Sequence, residues 1–281
     1  MAEKITLQGV PETLLWPLYN RAAFASRPGA LLEDPKSVEI RNAIDYPFER
    51  HFGKPSEAHA LRALRFDDEA RRFLSTHPDG TVVALGEGLE TGFWRVDNGR
   101  VRWLAVDLPE SIALRAHWLP DTDRHRSLAC SALDFRWMDE VDPARGVFIM
   151  AEGLLMYFEP HDVERLIAAC AGRFPGSEMM FDVIPRWLSR NTLRGWHLTR
   201  DYQTPRMPWG IDVNELDGLR AIHPNIIGVR EVDIGRGQGF TFGLLIPLLS
   251  HLPLPGFIAN KRPAFVVVSF GDGGAVVHHS G

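Results

Sequence analysis

Cysteine is scarce in this chain: only Cys130 and Cys170 occur in 281 residues. Neither stands in a CxxC or Cys/His ligand spacing, so no metal site is expected, and two thiols in a chain of this size fit a reducing, cytoplasmic setting. Positive charge is also in short supply. Lys and Arg number 31 against 36 Asp and Glu, a net charge of −5, which gives nucleic acid or an anionic membrane no footing by bulk charge. A small anion held by one or two arginines remains compatible with that balance. Long apolar runs are missing too: the most apolar late segment, 242–258, is interrupted by Pro247, His251, Pro253 and Pro255 and is too broken to cross a bilayer. The first residues, Met1-Ala2-Glu3-Lys4, lack the apolar core of a signal peptide. No internal repeat is found, and the one low-complexity stretch is the glycine-rich tail 271–281, expected to be flexible, whose His278-His279 pair carries little weight as a metal site.

Turn formers are plentiful. The 25 glycines and 20 prolines argue against a helical bundle, and the length leaves room for one large α/β domain or two small ones. Residues 11–55 read as short helices and turns, with Leu14, Leu15, Leu18 and Ala22 at helical spacing, as in a cap over a site. The spacing of Ala60, Leu61, Leu64, Ala70, Phe73 and Leu74 predicts a helix over 57–76 that also carries Arg62 and Arg65. Short apolar runs follow at 81–85, 101–106, 128–133, 147–151 and 179–184. Helical stretches separate them, most clearly 160–173, and this alternation predicts βαβ units and a parallel sheet. Residues 185–225 break the pattern: Trp187, Trp196 and Trp209 crowd a polar segment, read as a lid. Strand signals return at 226–234 and 264–270 and are expected to close the sheet as an antiparallel pair.

The strongest local signal is Leu85-Gly86-Glu87-Gly88-Leu89-Glu90-Thr91-Gly92, directly after the first apolar run. A glycine turn leaving a parallel strand lets a ligand approach the backbone. Asp107 ends the next run, 21 residues after Gly86, where an acid can accept from two ribose hydroxyls. Together these favour an adenosine-type ligand. Glu87 and Glu90 would repel a pyrophosphate and suit a cationic ligand, which lowers a nicotinamide dinucleotide and raises S-adenosylmethionine, a sulfonium with no phosphate.

At this point a family resemblance becomes specific. The run 81–110, then Ser131-Ala132-Leu133-Asp134 with Trp137, then Ala151-Glu152-Gly153-Leu154-Leu155-Met156-Tyr157, then Arg173-Phe174-Pro175-Gly176, resemble the leucine carboxyl methyltransferase family, in particular its bacterial polyketide O-methyltransferase-like branch. Arg62 to Asp67 resembles that family's arginine-bearing helix. The likeness covers about 55–185 and implies a Rossmann-like, doubly wound, mostly parallel seven-stranded sheet with an antiparallel C-terminal strand and a helical lid. The chain would be one methyltransferase domain: cap 1–55, cofactor-binding core 56–185, lid 186–225, C-terminal strands 226–270 and tail 271–281. The resemblance implies that Gly86 and Gly88 line the methionine part of the cofactor and that Asp107, followed by Leu108, holds the ribose. It also implies that Asp134 accepts from the adenine amino group with Leu133 or Phe135 on the ring, that Glu152 faces the ammonium, and that Arg62 pairs with the cofactor carboxylate. The chain departs from the family pattern at several positions: Glu87 replaces a small residue, Glu90 an Asp and Gly92 an Arg, while the family has an acid or amide near Ala84 and often a Glu near Ala105. Glu87 would then face the ammonium or else mark a weakened site.

The expected reaction is transfer of a methyl group to a carboxylate or phenolic oxygen of a small molecule. Alignment of oxygen, carbon and sulfur does most of the work. A carboxylate needs no base, whereas a phenol would benefit from one. His161 and His197 are the candidates, and no catalytic residue is assigned. Tyr157, Trp187 and Trp196, with Trp209 and Phe181, offer a substrate wall. The rival readings are a degenerate cofactor-binding protein without catalysis and an NAD-type oxidoreductase.

Overall fold

The computed structural model describes residues 3–4, 13–238 and 260–272. The apolar segment 242–258 and the tail from 273, with its histidine pair, lie outside the described residues. The chain begins with a short strand, β1 (Glu3–Lys4), then helices α1 (Leu15–Ala25) and α2 (Pro35–Ala43). Asp34 starts α2 by accepting the Ser37 N–H at 3.1 Å, with Pro35 in the first turn, a strong helix-start pairing. A second short strand, β2 (Ile44–Asp45), pairs with β1, and α3 (Phe48–Phe52) and the long α4 (Ala58–Thr76) follow.

From there strands and helices alternate: β3 (Thr81–Leu85), α5 (Gly92–Val96), β4 (Arg102–Asp107), α6 (Pro109–Arg115), β5 (His125–Ala129), β6 (Val147–Ala151), α7 (Pro160–Arg173) and β7 (Glu178–Val183). The helix α8 (Arg186–Leu193), a 3₁₀ segment (Val213–Ile222), β8 (Ile226–Val232) and β9 (Ala264–Phe270) follow among the described residues. The main sheet has the order β5-β4-β3-β6-β7-β9-β8. Every residue of β3 and β6 is buried, as central parallel strands covered on both faces must be. One face packs on α7, with Trp137 and Phe174 stacked at 6.0 Å; the other packs on α4, with Phe73 against Phe148 at 5.6 Å.

One sequence expectation shifts. The third strand runs over His125–Ala129 rather than 128–133. It is an edge strand whose fully buried His125 hides from an apolar pattern, while residues 131–134 form a turn closed by the Asp134 N–H on Ser131 O at 2.9 Å. The two late strands do pair antiparallel, but β9 inserts between β7 and β8 and runs against both. Six strands therefore run parallel and the last one alone is reversed. Strand order turns back between β3 and β6, opening a crevice at their carboxyl ends, the ligand position of this architecture. No helix among the described residues is long and apolar enough to cross a membrane.

A buried ionic cluster fastens the N-terminal helices to this crevice. Arg95 on α5 grips both oxygens of Asp67 on α4 (2.7 and 3.0 Å) and also reaches Asp34 (3.0 Å) and Glu90 (2.7 Å). Arg21 on α1 contacts Glu90 at 2.5 Å and donates to the Leu89 carbonyl at 2.9 Å. Breaking such a cluster by removing one partner leaves charges buried and unanswered, at a cost of about 3–5 kcal/mol. Urea denaturation of Arg95→Ala is expected to show a loss of that size; a loss below about 1 kcal/mol would mean that the cluster relaxes into water.

Candidate functional site

The crevice is a cavity of about 440 Å³. The ends of β3, β4, β6 and β7 supply Gly86, Asp107, Glu152 and Asp182; α1 supplies Trp16 and Arg21; α4 supplies His59 and Arg62. Leu188, Thr192, Trp196, Leu198, Thr204 and Met207 cover it from the segment after β7. On α8, Leu188 and Thr192 are four residues apart and so share the helix face turned to the cavity.

The glycine turn has the backbone its residues require. Gly86 and Gly88 have φ of +64° and +49°, and a Cβ on Gly86 would lie 2.7 Å from the Leu154 side chain. No other residue fits there without strain. Asp107 clamps the turn: its Oδ2 accepts the Gly88 N–H and its Oδ1 the Leu108 N–H, both at 2.7 Å. Burial pushes the Asp107 carboxyl above its ordinary range.

Glu87 does not stand free to face a cation. One of its oxygens accepts the Trp103 indole N–H at 2.9 Å; the other lies 2.9 Å from Arg115 as an ionic contact without hydrogen-bond alignment. Arg115 is fully buried and braces the turn from behind, donating to the carbonyls of Gly88 and Glu90 at 2.9 and 2.8 Å. The departure at Gly92 belongs to the same arrangement, because a Cβ there would meet the Trp103 ring at 3.3 Å. Gly92 admits the indole that reaches Glu87. Besides Glu87 and Asp107, the acids that line the cavity are Glu90, Glu152 and Asp182. Burial would raise Glu90, but Arg21 and Arg95 outweigh it and hold it below the usual carboxylate range. Glu152 is raised by burial and by the nearby Glu90 charge. Arg62 donates through Nε to Glu152 at 2.8 Å and through Nη1 to Asp182 at 3.2 Å, and Asp182 in turn accepts the Gly153 N–H at 2.5 Å.

Of the residues expected from sequence, Arg62, Gly86, Glu87, Gly88, Asp107, Leu108, Glu152, Tyr157 and Trp196 come together at the cavity. Leu133 and Asp134 do not line it: Leu133 packs at the edge of the core and Asp134 pairs with Arg136 at 2.7 Å. Trp187 sits outside it, 6.1 Å from Trp196, with its indole N–H on the Lys261 carbonyl. Trp209 and Phe181 belong to the core. His161 and His197 are exposed and line no part of the cavity. Sequence reasoning misses Arg21, Asp182 and His59. His59 carries one usable signal, its place three residues before Arg62 on the same helix face.

Residues 22–171 match the leucine carboxyl methyltransferase family. The chain belongs to that family. This family of S-adenosylmethionine-dependent methyltransferases makes the chain an enzyme of that class and sets aside the NAD-type reading. The chain is 35% identical over 193 residues to the tetracenomycin polyketide synthesis O-methyltransferase TcmP of Streptomyces glaucescens, covering 68% of this chain and 72% of that one. It is 28% identical over 202 residues to the S-adenosyl-L-methionine-dependent methyltransferase dpfgK of Gibberella zeae, covering 64% and 67%. Among solved structures, the N-methyltransferase NodS of Bradyrhizobium japonicum aligns over 77% of this chain and 99% of its own, with 12% identity and a TM-score of 0.46.

The brace behind the turn has a titration signature in this methyltransferase. Burial outweighs the pull of Arg115 and lifts Glu87 from 4.5 to about 7, so between those values the folded chain holds a proton that the unfolded chain has released. That contribution to stability is fully present below the unfolded pKa and is lost as pH rises through the folded one. Urea unfolding at pH values of about 5 and 8 is expected to show the wild type losing on the order of 3 kcal/mol relative to Glu87→Gln across the window. Parallel behaviour of the two proteins would show Glu87 already ionised at the lower pH.

Proposed function

We propose that this methyltransferase transfers its methyl group to an oxygen of a small, largely apolar, polyketide-like molecule. The observation that carries the reading is the division of the cavity lining into two chemical parts. Around the glycine turn stand Asp107, Glu90, Glu152 and Asp182 with two arginines; the rest of the lining is largely apolar and includes Trp16, Met156, Ile184, Leu188, Trp196 and Met207. The name of the Streptomyces glaucescens relative, an O-methyltransferase of polyketide synthesis, supports oxygen as the acceptor and that substrate class. We take the substrate to be a free small molecule rather than nucleic acid, and the setting to be cytoplasmic.

The residues present fit a cationic adenosine cofactor. Asp107 accepts the Gly88 and Leu108 N–H groups on separate oxygens and the Ser111 hydroxyl as well, which leaves one lone pair for a ribose hydroxyl. Glu90, Glu152 and Asp182 answer positive charge, and Arg21 and Arg62 offer a carboxylate its counter-charge. The positive-φ glycines leave the backbone open to close approach. When bound, the cofactor supplies an electrophilic methyl carbon. The chain's own residues hold the acceptor in line with it, and the apolar cover from Leu188 to Met207 excludes water.

The closing of the cavity depends in part on Tyr157, whose hydroxyl bonds the Thr13 side chain and whose pKa burial raises; it serves as wall and not as a proton acceptor. Calorimetric titration is expected to show that wild type binds S-adenosylhomocysteine and not NADH, and that Asp107→Ala binds it at least about 30-fold more weakly, the effect of losing hydrogen bonds to a charged group. Incubation with methyl-labelled cofactor is expected to label aromatic acids or phenols at oxygen. Equal binding by Asp107→Ala would remove the site assignment, and label found only on nitrogen acceptors would overturn the oxygen reading.

A further inference from the structure

His59 lies on α4, its ring lines the cavity, and it stands one turn before Arg62. Its Nδ1 is 2.6 Å from the Nδ2 of Asn20 on α1. Asn20 is 1% exposed, and its Oδ1 accepts the backbone N–H of Ser56 at 3.0 Å. A backbone N–H can only donate, so it fixes which end of the Asn20 amide is oxygen. The other end is then the NH2 group, and it too can only donate. Facing it, Nδ1 of His59 must be the bare nitrogen, and the ring proton sits on Nε2.

We propose that His59 is a substrate-positioning residue that presents a fixed Nε2–H to the acceptor oxygen and does not serve as its base. The inference rests on the oxygen-acceptor reading above. The only lone pair of the ring is occupied by Asn20. A second proton on Nδ1 would set two donors against each other at 2.6 Å, and burial together with Arg62 and Arg21 holds His59 well below its ordinary pKa. The Trp16 ring packs on it edge-on at 5.1 Å and limits its rotation. No other histidine among the described residues lines the cavity. In the transfer an oxygen–carbon bond forms and the sulfonium carbon–sulfur bond breaks, its electron pair remaining on sulfur. If the oxygen arrives ionised, no proton has to move, and a neutral N–H donor holds that oxygen without competing for the methyl group. A protonated phenol would have to release a proton that His59 has no lone pair to take.

The test combines spectroscopy with kinetics on the full chain. With ¹⁵N-labelled histidine, the ring signal missing from His59→Gln is expected to show a bare Nδ1 and a protonated Nε2 throughout the neutral pH range. His59→Phe is expected to lower kcat/KM for an aromatic carboxylic acid by about 30-fold, the scale of a lost hydrogen bond to a charged oxygen, while S-adenosylhomocysteine binds as in wild type. His59→Gln, which retains an N–H, recovers about tenfold of that loss, and the wild-type rate shows no limb near the histidine pKa. A protonated Nδ1, or a His59→Phe rate matching wild type, overturns the proposal. So does loss of cofactor-product binding in both variants, which would make the role structural. A wild type that methylates neither acid nor phenol overturns the oxygen-acceptor reading instead, and the assignment of His59 is then decided by its ring protonation alone.

Discussion

Arg95 pairs with three buried carboxylates, Asp34, Asp67 and Glu90, and Arg21 with two of them, Asp34 and Glu90, and this cluster decides where the cavity lies and what charge it offers. Asp67 belongs to α4, Arg95 to α5, Glu90 to the glycine turn, Arg21 to α1, and Asp34 to the start of α2. Five separate stretches of chain meet in one ionic knot. Because the charges are buried, each depends on the others, and none can move far without leaving a partner exposed to a low-dielectric interior. The N-terminal helices are thereby held over the ends of the strands, which brings Trp16, Pro17 and Arg21 to the cavity wall.

The same logic explains the unusual turn. A glutamate between the two glycines of the turn looks at first like damage. In the fold it is one part of a three-way exchange: Gly92 makes room for Trp103, Trp103 donates to Glu87, and Arg115 lies against the other Glu87 oxygen while holding two carbonyls of the turn. The turn is braced from behind, and the carboxylates left at the cavity, Glu90, Glu152 and Asp182, keep its acidic character. A site that answers cations in this way is poorly suited to a pyrophosphate and well suited to a sulfonium.

Much of this fold and site is legible in the amino-acid sequence. The strand-turn-acid spacing from Leu85 to Asp107 is local, and local geometry follows from glycine conformation and strand length. The alternation of apolar runs likewise gives the parallel sheet. What a linear pattern does not carry are relationships between distant segments. Glu87 meets Trp103 and Arg115, 16 and 28 residues away, so its charge answers an indole and a guanidinium rather than the ligand that its place in the turn suggests. The donor that orients His59 is Asn20, 39 residues earlier, and nothing in a histidine's own neighbourhood shows which nitrogen carries the proton. The strand at His125 escapes an apolar pattern because a buried histidine beside Arg115 replaces the apolar residue that the pattern seeks. The exposed histidines at 161 and 197 show the reverse: their sequence context suggests chemistry that their position does not permit.

The N-terminal cap and the glycine turn are joined as one unit through the Arg21–Glu90 contact. A double-mutant cycle of Arg21→Met, Glu90→Gln and the combined variant, read as S-adenosylhomocysteine affinity by calorimetry, tests it most directly. Each single change is expected to weaken binding by about tenfold or more, and the double variant to be scarcely worse than the weaker single one, as for two halves of one buried ion pair. Losses that simply multiply, or an Arg21→Met protein that binds as wild type does, would contradict that coupling.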